Sequence, residues 1–144
     1  MPVIYNKPIG ITDKYYSYEK GKYLELFTVK ILKSDVDIPN FITVKTVYNF
    51  YSNQHFGAAT LLIANSDTIE CILASKSNFG GSYNFYQFYD EGSKTLHVYV
   101  QTTGGNGFGN HYVYKEYISS DDTVEIKFAG VLLSSLPEQA IPIE

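Results

Sequence analysis

The feature that most constrains this chain is a series of short period-two runs of β-branched and aromatic residues, separated by turn residues. Alternation of this kind is typical of strands with one buried face, and the spacing of an amphipathic helix is nearly absent. The runs predict about eight strands, at 23–33, 41–51, 58–65, 68–76, 82–90, 94–102, 111–118 and 123–131. Their close spacing predicts an all-β fold, an antiparallel β-sandwich of jelly-roll-like form.

The length of the chain predicts one domain over 1–144, because 144 residues can bury a core of ordinary size. The segment 1–22 is punctuated by proline and glycine and is predicted to be irregular. The tail 132–144 is predicted to be extended for the same reason. The run at 58–65 is continuously apolar, which favours a strand buried on both faces.

The charge balance excludes several classes of partner. The net charge is -4, and every basic side chain is a lysine. An acidic chain without arginine lacks the basic patch that nucleic acids and anionic membranes require. No window of the sequence approaches the roughly 18 apolar residues of a membrane span, and the N-terminus lacks the pattern of a signal peptide. We therefore expect no nucleic-acid partner, no membrane insertion and no signal peptide.

Catalytic and cofactor motifs are not found. His55, His97 and His111 do not have the local spacing of a metal site. Cys71 lies mid-strand and is predicted to be a buried, inert thiol. The acidic pairs all fall in predicted turns, and the glycine-rich stretch 102–110 lacks phosphate-loop spacing. The sequence thus predicts no cofactor, no metal and no enzymatic activity.

The aromatic content is unusual, with 14 tyrosines, 9 phenylalanines and no tryptophan. Three interpretations remain open: cross-strand packing, a sugar-binding surface, or contacts between subunits. Strand phase divides the residues of 82–102 between faces. In 82–90, one face carries Tyr83, Phe85, Gln87 and Tyr89 and the other carries Asn84, Tyr86, Phe88 and Asp90, so this strand is aromatic on both sides. In 94–102, Leu96, Val98 and Val100 are expected to face the core, and His97, Tyr99 and Gln101 are expected to face outward.

The stretch 102–110 has four glycines in nine residues and is predicted to be a long hairpin loop. If loops at one end of the sandwich gather polar and aromatic side chains, rings would stack on sugars and amides would set their orientation. The predicted ligand-binding residues are Tyr51, Asn53, His55, Asn78, Phe79, Asn106, Phe108, Asn110 and His111.

The second half of the chain carries a family resemblance. Its residues are NFYQFYDEGSKTLHVYVQTT, the glycine-rich loop, YVYKEY, VEIKFAGV and the closing Leu136–Pro137. In pattern and composition, 41–137 resembles the C-terminal head or receptor-binding domains of tail-fibre and baseplate proteins. These come from phages and prophage-derived particles of Gram-positive bacteria.

This resemblance implies a β-sandwich or jelly-roll head, usually a homotrimer, that binds a cell-surface polysaccharide or teichoic acid. It also implies a virion or phage-like particle that is assembled in the cytoplasm and released by lysis. No binding residue carries over from a family motif. The resulting hypothesis is a non-enzymatic receptor-binding head domain. The alternatives are a structural, oligomerising subunit of such a particle without its own glycan site, and a glycan hydrolase.

Overall fold

A computed structural model of the chain describes residues 6–11, 16–18, 23–32, 40–50, 56–65, 69–79, 82–103, 107–117 and 124–144. Within these ranges the chain forms eleven β-strands and no helix. The strands are β1 (Asn6–Ile11), β2 (Tyr16–Tyr18), β3 (Tyr23–Ile31), β4 (Asn40–Phe50), β5 (Phe56–Asn65), β6 (Ile69–Phe79), β7 (Ser82–Asp90), β8 (Thr95–Thr103), β9 (Gly107–Tyr117), β10 (Val124–Leu133) and β11 (Ile141–Pro142). The eight long strands, β3 to β10, correspond to the eight runs predicted from the sequence.

The strands form two antiparallel sheets. The six-stranded sheet has the order β1-β9-β4-β5-β6, and β2 also pairs with β9. The five-stranded sheet has the order β10-β3-β8-β7-β11. The predicted antiparallel β-sandwich is therefore confirmed.

The core lies between the two sheets and is built from alternate positions of the strands. In β4, Ile42 and Val44 are fully buried, whereas Lys45 and Val47 are exposed. Such alternation lets each sheet turn one apolar face inward. The prediction for β8 is confirmed, since its buried positions include all three expected residues, Leu96, Val98 and Val100.

One side of the sandwich is linked by a side-chain amide. β6 is an edge of the six-stranded sheet, and Gln87 reaches it from β7 of the other sheet. Gln87 Nε2 donates to the carbonyl oxygen of Cys71 at 3.0 Å, and Gln87 Oε1 accepts from the Cys71 N–H at 3.3 Å. The amide thus pairs with the strand edge as a peptide group would, and it blocks that edge to further pairing.

The expected double-sided burial of 58–65 is wrong. Leu61 and Ile63 are fully buried, but Ala58 is exposed and Leu62 is half-buried. Within the described ranges no further layer covers the outer face of β5. The long apolar run therefore marks a central strand, paired on both edges, with one buried face.

The N-terminal segment also differs from expectation, because β1 and β2 lie within the predicted irregular segment 1–22 and both pair with β9. Pro8 and Gly10 favour a break in a strand. The pairing of β1 instead shifts register between these two residues. An edge strand with such an irregularity can accommodate both residues without breaking the sheet.

The connection between β8 and β9 is shorter than the predicted glycine-rich loop 102–110. β8 continues to Thr103 and β9 begins at Gly107, so only 104–106 lies between the two strands and outside the described residues. The reason is pairing across the sheet: Gly109 pairs with Phe50 of β4 and continues the ladder. Backbone hydrogen bonds made with distant strands override the local preference of glycine for loops.

Candidate functional site

The outer surface of the five-stranded sheet gathers aromatic and polar side chains from three adjacent strands. Register brings Tyr86 opposite Tyr99, and Phe88 opposite His97, across β7 and β8. Glu25 of β3 lies opposite Tyr99 on the other side of β8. We call this surface the aromatic face, and it comprises Tyr23, Glu25, Asn84, Tyr86, Phe88, His97, Tyr99 and Gln101.

His97 is at the centre of the aromatic face. Its ring lies nearly parallel to those of Phe88 and Tyr99, with ring centroids 5.8 Å and 6.3 Å away and interplanar angles of 19° and 15°. His97 Nδ1 is 2.7 Å from Glu25 Oε1, which fixes the orientation of the imidazole. Ring stacking and this hydrogen bond both restrict the orientation of the His97 side chain.

Tyr99 is more deeply buried than its outward phase predicts, with 3% of its surface exposed. Tyr23 and Tyr86 come from the strands on either side of β8, and their rings meet edge to face at a centroid distance of 5.7 Å. Tyr86 is also the cross-strand partner of Tyr99, so this ring pair includes the direct neighbour of Tyr99. Burial, and to a lesser degree the charge of Glu25, raises the pKa of Tyr99 to about 12.

The solvent-facing part of the aromatic face therefore consists of half-buried rings next to the carboxylate of Glu25. Phe88, His97, Tyr86 and Tyr23 are all half-buried. A half-buried ring offers one apolar surface for stacking, and carboxylate and amide groups offer directed hydrogen bonds. This combination suits a ligand that has both C–H faces and hydroxyl groups.

The structure places the sequence-predicted site residues at one end of the six-stranded sheet, as far as it describes them. Tyr51, Asn53, His55 and Asn106 lie outside the described residues. The other five belong to strands, with Asn78 and Phe79 in β6 and Phe108, Asn110 and His111 in β9.

Strand register brings four of these residues into two adjacent cross-strand rows. The first row runs His111–Tyr48–Gly57–Asn78, and the second runs Asn110–Asn49–Phe56–Phe79. With neighbouring strands about 4.8 Å apart, each row spans about 14 Å from β9 to β6. The register thus places residues from two strands that are distant in sequence near the same end of the six-stranded sheet. Their role in binding stays a prediction.

The aromatic face was not predicted as a site from the sequence, and only His97, Tyr99 and Gln101 among its residues were predicted to face outward. Local alternation identifies which residues of β7 and β8 share a side of a strand. It does not show that β3 lies beside β8 and contributes Glu25 to His97, because those two residues are 72 positions apart. That contact depends on the tertiary structure.

Metal and membrane features are absent from the part of the chain that the structure describes. Its histidine, cysteine, aspartate and glutamate residues form no group of three or more that could hold a metal ion. None of its elements is a helix long and apolar enough to cross a membrane.

Comparison with known proteins yields a similarity of fold. The sequence matches no protein-family model and no curated protein. The structure is similar to the crystal structure of the Acinetobacter phage vB_ApiP_P1 tailspike protein, with a TM-score of 0.50 and 9% sequence identity. The match covers 88% of this chain and 22% of the tailspike chain.

At this identity the likeness concerns the fold alone. It agrees with the expected phage-tail architecture at the coarse level of a β-rich domain. It gives no support to a Gram-positive host.

Proposed function

We propose that this chain is a receptor-binding module of a phage tail or phage-like tail and that it binds a cell-surface carbohydrate without catalysing its cleavage. Such a module would be part of a virion or phage-like particle. The observation that carries the proposal is the aromatic face, where a hydrogen-bonded His97–Glu25 pair lies among half-buried rings. The fold similarity to a phage tailspike supports the setting.

The aromatic face suits a saccharide better than an apolar ligand. Phe88 and His97 provide ring surface for the C–H face of a sugar, and Glu25 provides an acceptor beside them. Asn84 and Gln101, which lie opposite one another in register, add amide donors and acceptors at the same surface. Because the rings are already packed, binding needs little side-chain ordering.

Glycan-array binding, followed by titration with the best-bound purified polysaccharide, tests the proposal. We expect Phe88→Ala and His97→Ala each to weaken binding about threefold to tenfold, the range of a lost aromatic contact. Ile72→Ala is the matched control, because Ile72 is an exposed apolar residue of β6 in the other sheet and should bind as the parent does. Unchanged binding in both aromatic-face variants, with the fold intact by circular dichroism, would exclude this face.

The same assay tests the site predicted from the sequence. Tyr51→Ala and Phe108→Ala should weaken binding if the glycan occupies the end of the six-stranded sheet instead. Binding that survives all four substitutions would exclude both surfaces. Turnover of the polysaccharide that is abolished by changing one acidic residue would replace binding with hydrolysis as the function.

A second candidate function is a structural contact between copies of the chain in a particle. Val131 of β10 is 47% exposed and lies opposite Glu25 in register, so apolar surface continues beyond the aromatic face. The predicted homotrimer would have a mass three times that of the 16.3 kDa chain. A strict monomer at micromolar concentration, measured by light scattering, would contradict this candidate and leave glycan binding untouched.

A further inference from the structure

A groove runs along the side of the sandwich where β6 and β7 face each other from different sheets. It contains a cavity of about 690 Å³ lined by Ile69 and Glu70 on β6, by the end of β7, and by Ile141 of the tail. We call this cavity the seam groove. Its volume lies in the range of ordinary ligand sites.

The seam groove exposes an unpaired stretch of strand edge. β11 pairs only with Tyr86 and Gln87, so β7 has no strand neighbour on this side beyond Gln87 among the described residues. The carbonyl oxygen of Phe85 accepts a hydrogen bond from the N–H of Ile143 on the β11 side. Because edge-directed groups alternate along a strand, the N–H and C=O of Tyr89 point to the same side.

The edges of β6 and β7 beside the groove differ in their hydrogen bonding. At Cys71 the edge of β6 is blocked by the amide of Gln87. No described residue makes a comparable pair of hydrogen bonds with the backbone of Tyr89, and the seam groove lies beside that residue. Unpaired edges of natural sheets are usually blocked or covered. An open edge beside a cavity is thus suited to an added strand.

The rim of the groove is acidic. Glu70, Asp90 and Glu91 all line it, and none of the described lining residues is basic. Hydrogen bonds from the Ser93 hydroxyl and the Gly92 N–H hold the carboxylate of Asp90 and lower its pKa. The rim therefore carries negative charge at neutral pH. Ile141, which is 57% exposed, adds an apolar contact.

Charge decides between two possible occupants of the groove. If two copies of the chain paired through the same edge, the contact would be isologous and would bring the acidic rim of one copy against that of the other. Like charges at an interface are unfavourable. An extended segment with lysine or arginine at alternate positions has the opposite charge, and its intervening apolar side chains can contact Ile69 and Ile141.

We propose that the seam groove binds an extended, basic segment of a partner protein, which adds as a strand to the free edge of β7 at Tyr89. The partner's cationic side chains lie against Glu70, Asp90 and Glu91. This site adjoins the aromatic face, since Phe88 lines both, but neither Glu70 nor Glu91 belongs to that face.

The test titrates the full chain with a short, capped peptide that alternates valine and lysine, and follows backbone amide signals by NMR. We expect the Tyr89 N–H signal to shift and its hydrogen exchange to slow, because the added strand accepts a hydrogen bond from it. A peptide with proline in place of the central valines has the same charge but cannot form a strand, and it should lose binding. An acidic peptide of alternating valine and glutamate should not bind.

The double variant Glu70→Gln/Glu91→Gln should weaken peptide binding at least about threefold, since two exposed ion pairs are lost. Glu125→Gln is the matched control, because Glu125 lies on β10 at the opposite edge of the five-stranded sheet. Equal weakening in both variants would mean general attraction to an acidic protein and would overturn the proposal. An unperturbed Tyr89 amide at saturation would overturn it as well. Glycan binding should be unaffected by the double variant, so the two proposals fail separately.

Discussion

At the residue scale, Cys71 shows how burial sets the chemistry of a side chain. It is 2% exposed and packs in the core cluster of the sandwich. Burial raises the pKa of its thiol to about 12. Only the thiolate is a good nucleophile, so a raised pKa and restricted access both suppress its reactions. The interpretation of Cys71 as a buried thiol is confirmed.

We predict that a thiol reagent at pH 8 labels the native protein far more slowly than the unfolded chain. The raised pKa alone lowers the thiolate fraction by about a thousandfold at this pH. The measurement is the absorbance change on labelling with and without denaturant. Cys71→Ser/Ser75→Cys is the control, because Ser75 is exposed on the same strand and a thiol there should label rapidly. Equal labelling rates for native and unfolded Cys71 would contradict the prediction.

At the scale of elements, the side-chain amide of Gln87 links the two sheets by hydrogen bonds. Its amide makes two hydrogen bonds to the backbone of Cys71 and joins β7 to the edge of β6. Both Cys71 groups sit at a partly buried position, where an unpaired donor or acceptor is unfavourable. The link is therefore expected to stabilise the contact between sheets and to keep the edge of β6 closed.

We predict that Gln87→Ala lowers the free energy of unfolding by about 1–3 kcal/mol, the range for buried polar groups that lose their partners. Urea denaturation measures the change. Gln101→Ala is a suitable control, because Gln101 is half-buried on the outer side of β8 and should change stability by less than about 0.5 kcal/mol.

If Gln87→Ala also exposes the edge of β6, the variant should form larger species at high concentration. Parent-like stability and mass together would show that the amide link is dispensable.

At the scale of the whole molecule, the C-terminal tail completes the core. Ile143 is 5% exposed and joins the cluster between the sheets, and its N–H donates to the carbonyl oxygen of Phe85 at 2.9 Å. Ile141, two residues earlier, is 57% exposed. The tail thus does more than lie along the surface as an extended segment, because one of its side chains is part of the core.

The neighbouring isoleucines provide a matched pair. Ile143→Ala should lower the free energy of unfolding by about 2–5 kcal/mol, as expected for a buried isoleucine. Ile141→Ala should change it by no more than about 0.5 kcal/mol. Thermal and urea denaturation of both variants make the comparison. Similar losses in the two variants would show that the tail does not pack as described.

The sequence alone determined the class of fold and much of the orientation of its strands. Residue pattern is a local property, so period-two alternation, together with the continuous apolar run at 58–65, identified the eight long strands and the inward phase of Leu96, Val98 and Val100. The position of Cys71 in the middle of a predicted strand also predicted its buried, inert thiol. These conclusions need no knowledge of which strand lies beside which.

Only the tertiary structure decided the order of the strands and the surfaces that this order creates. Pairing with β4 and β2 turned 107–110 of the predicted glycine loop into part of strand β9, and pairing with β9 ordered part of the N-terminal segment. The contact of Glu25 with His97 and the edge-to-face contact of Tyr23 with Tyr86 arise between strands that are distant in sequence. The seam groove lies where β7 continues beyond Gln87, the last of its residues that pairs with β11. Each of these features depends on non-local hydrogen bonds and packing, whereas a local pattern specifies only the conformation and phase of its own strand.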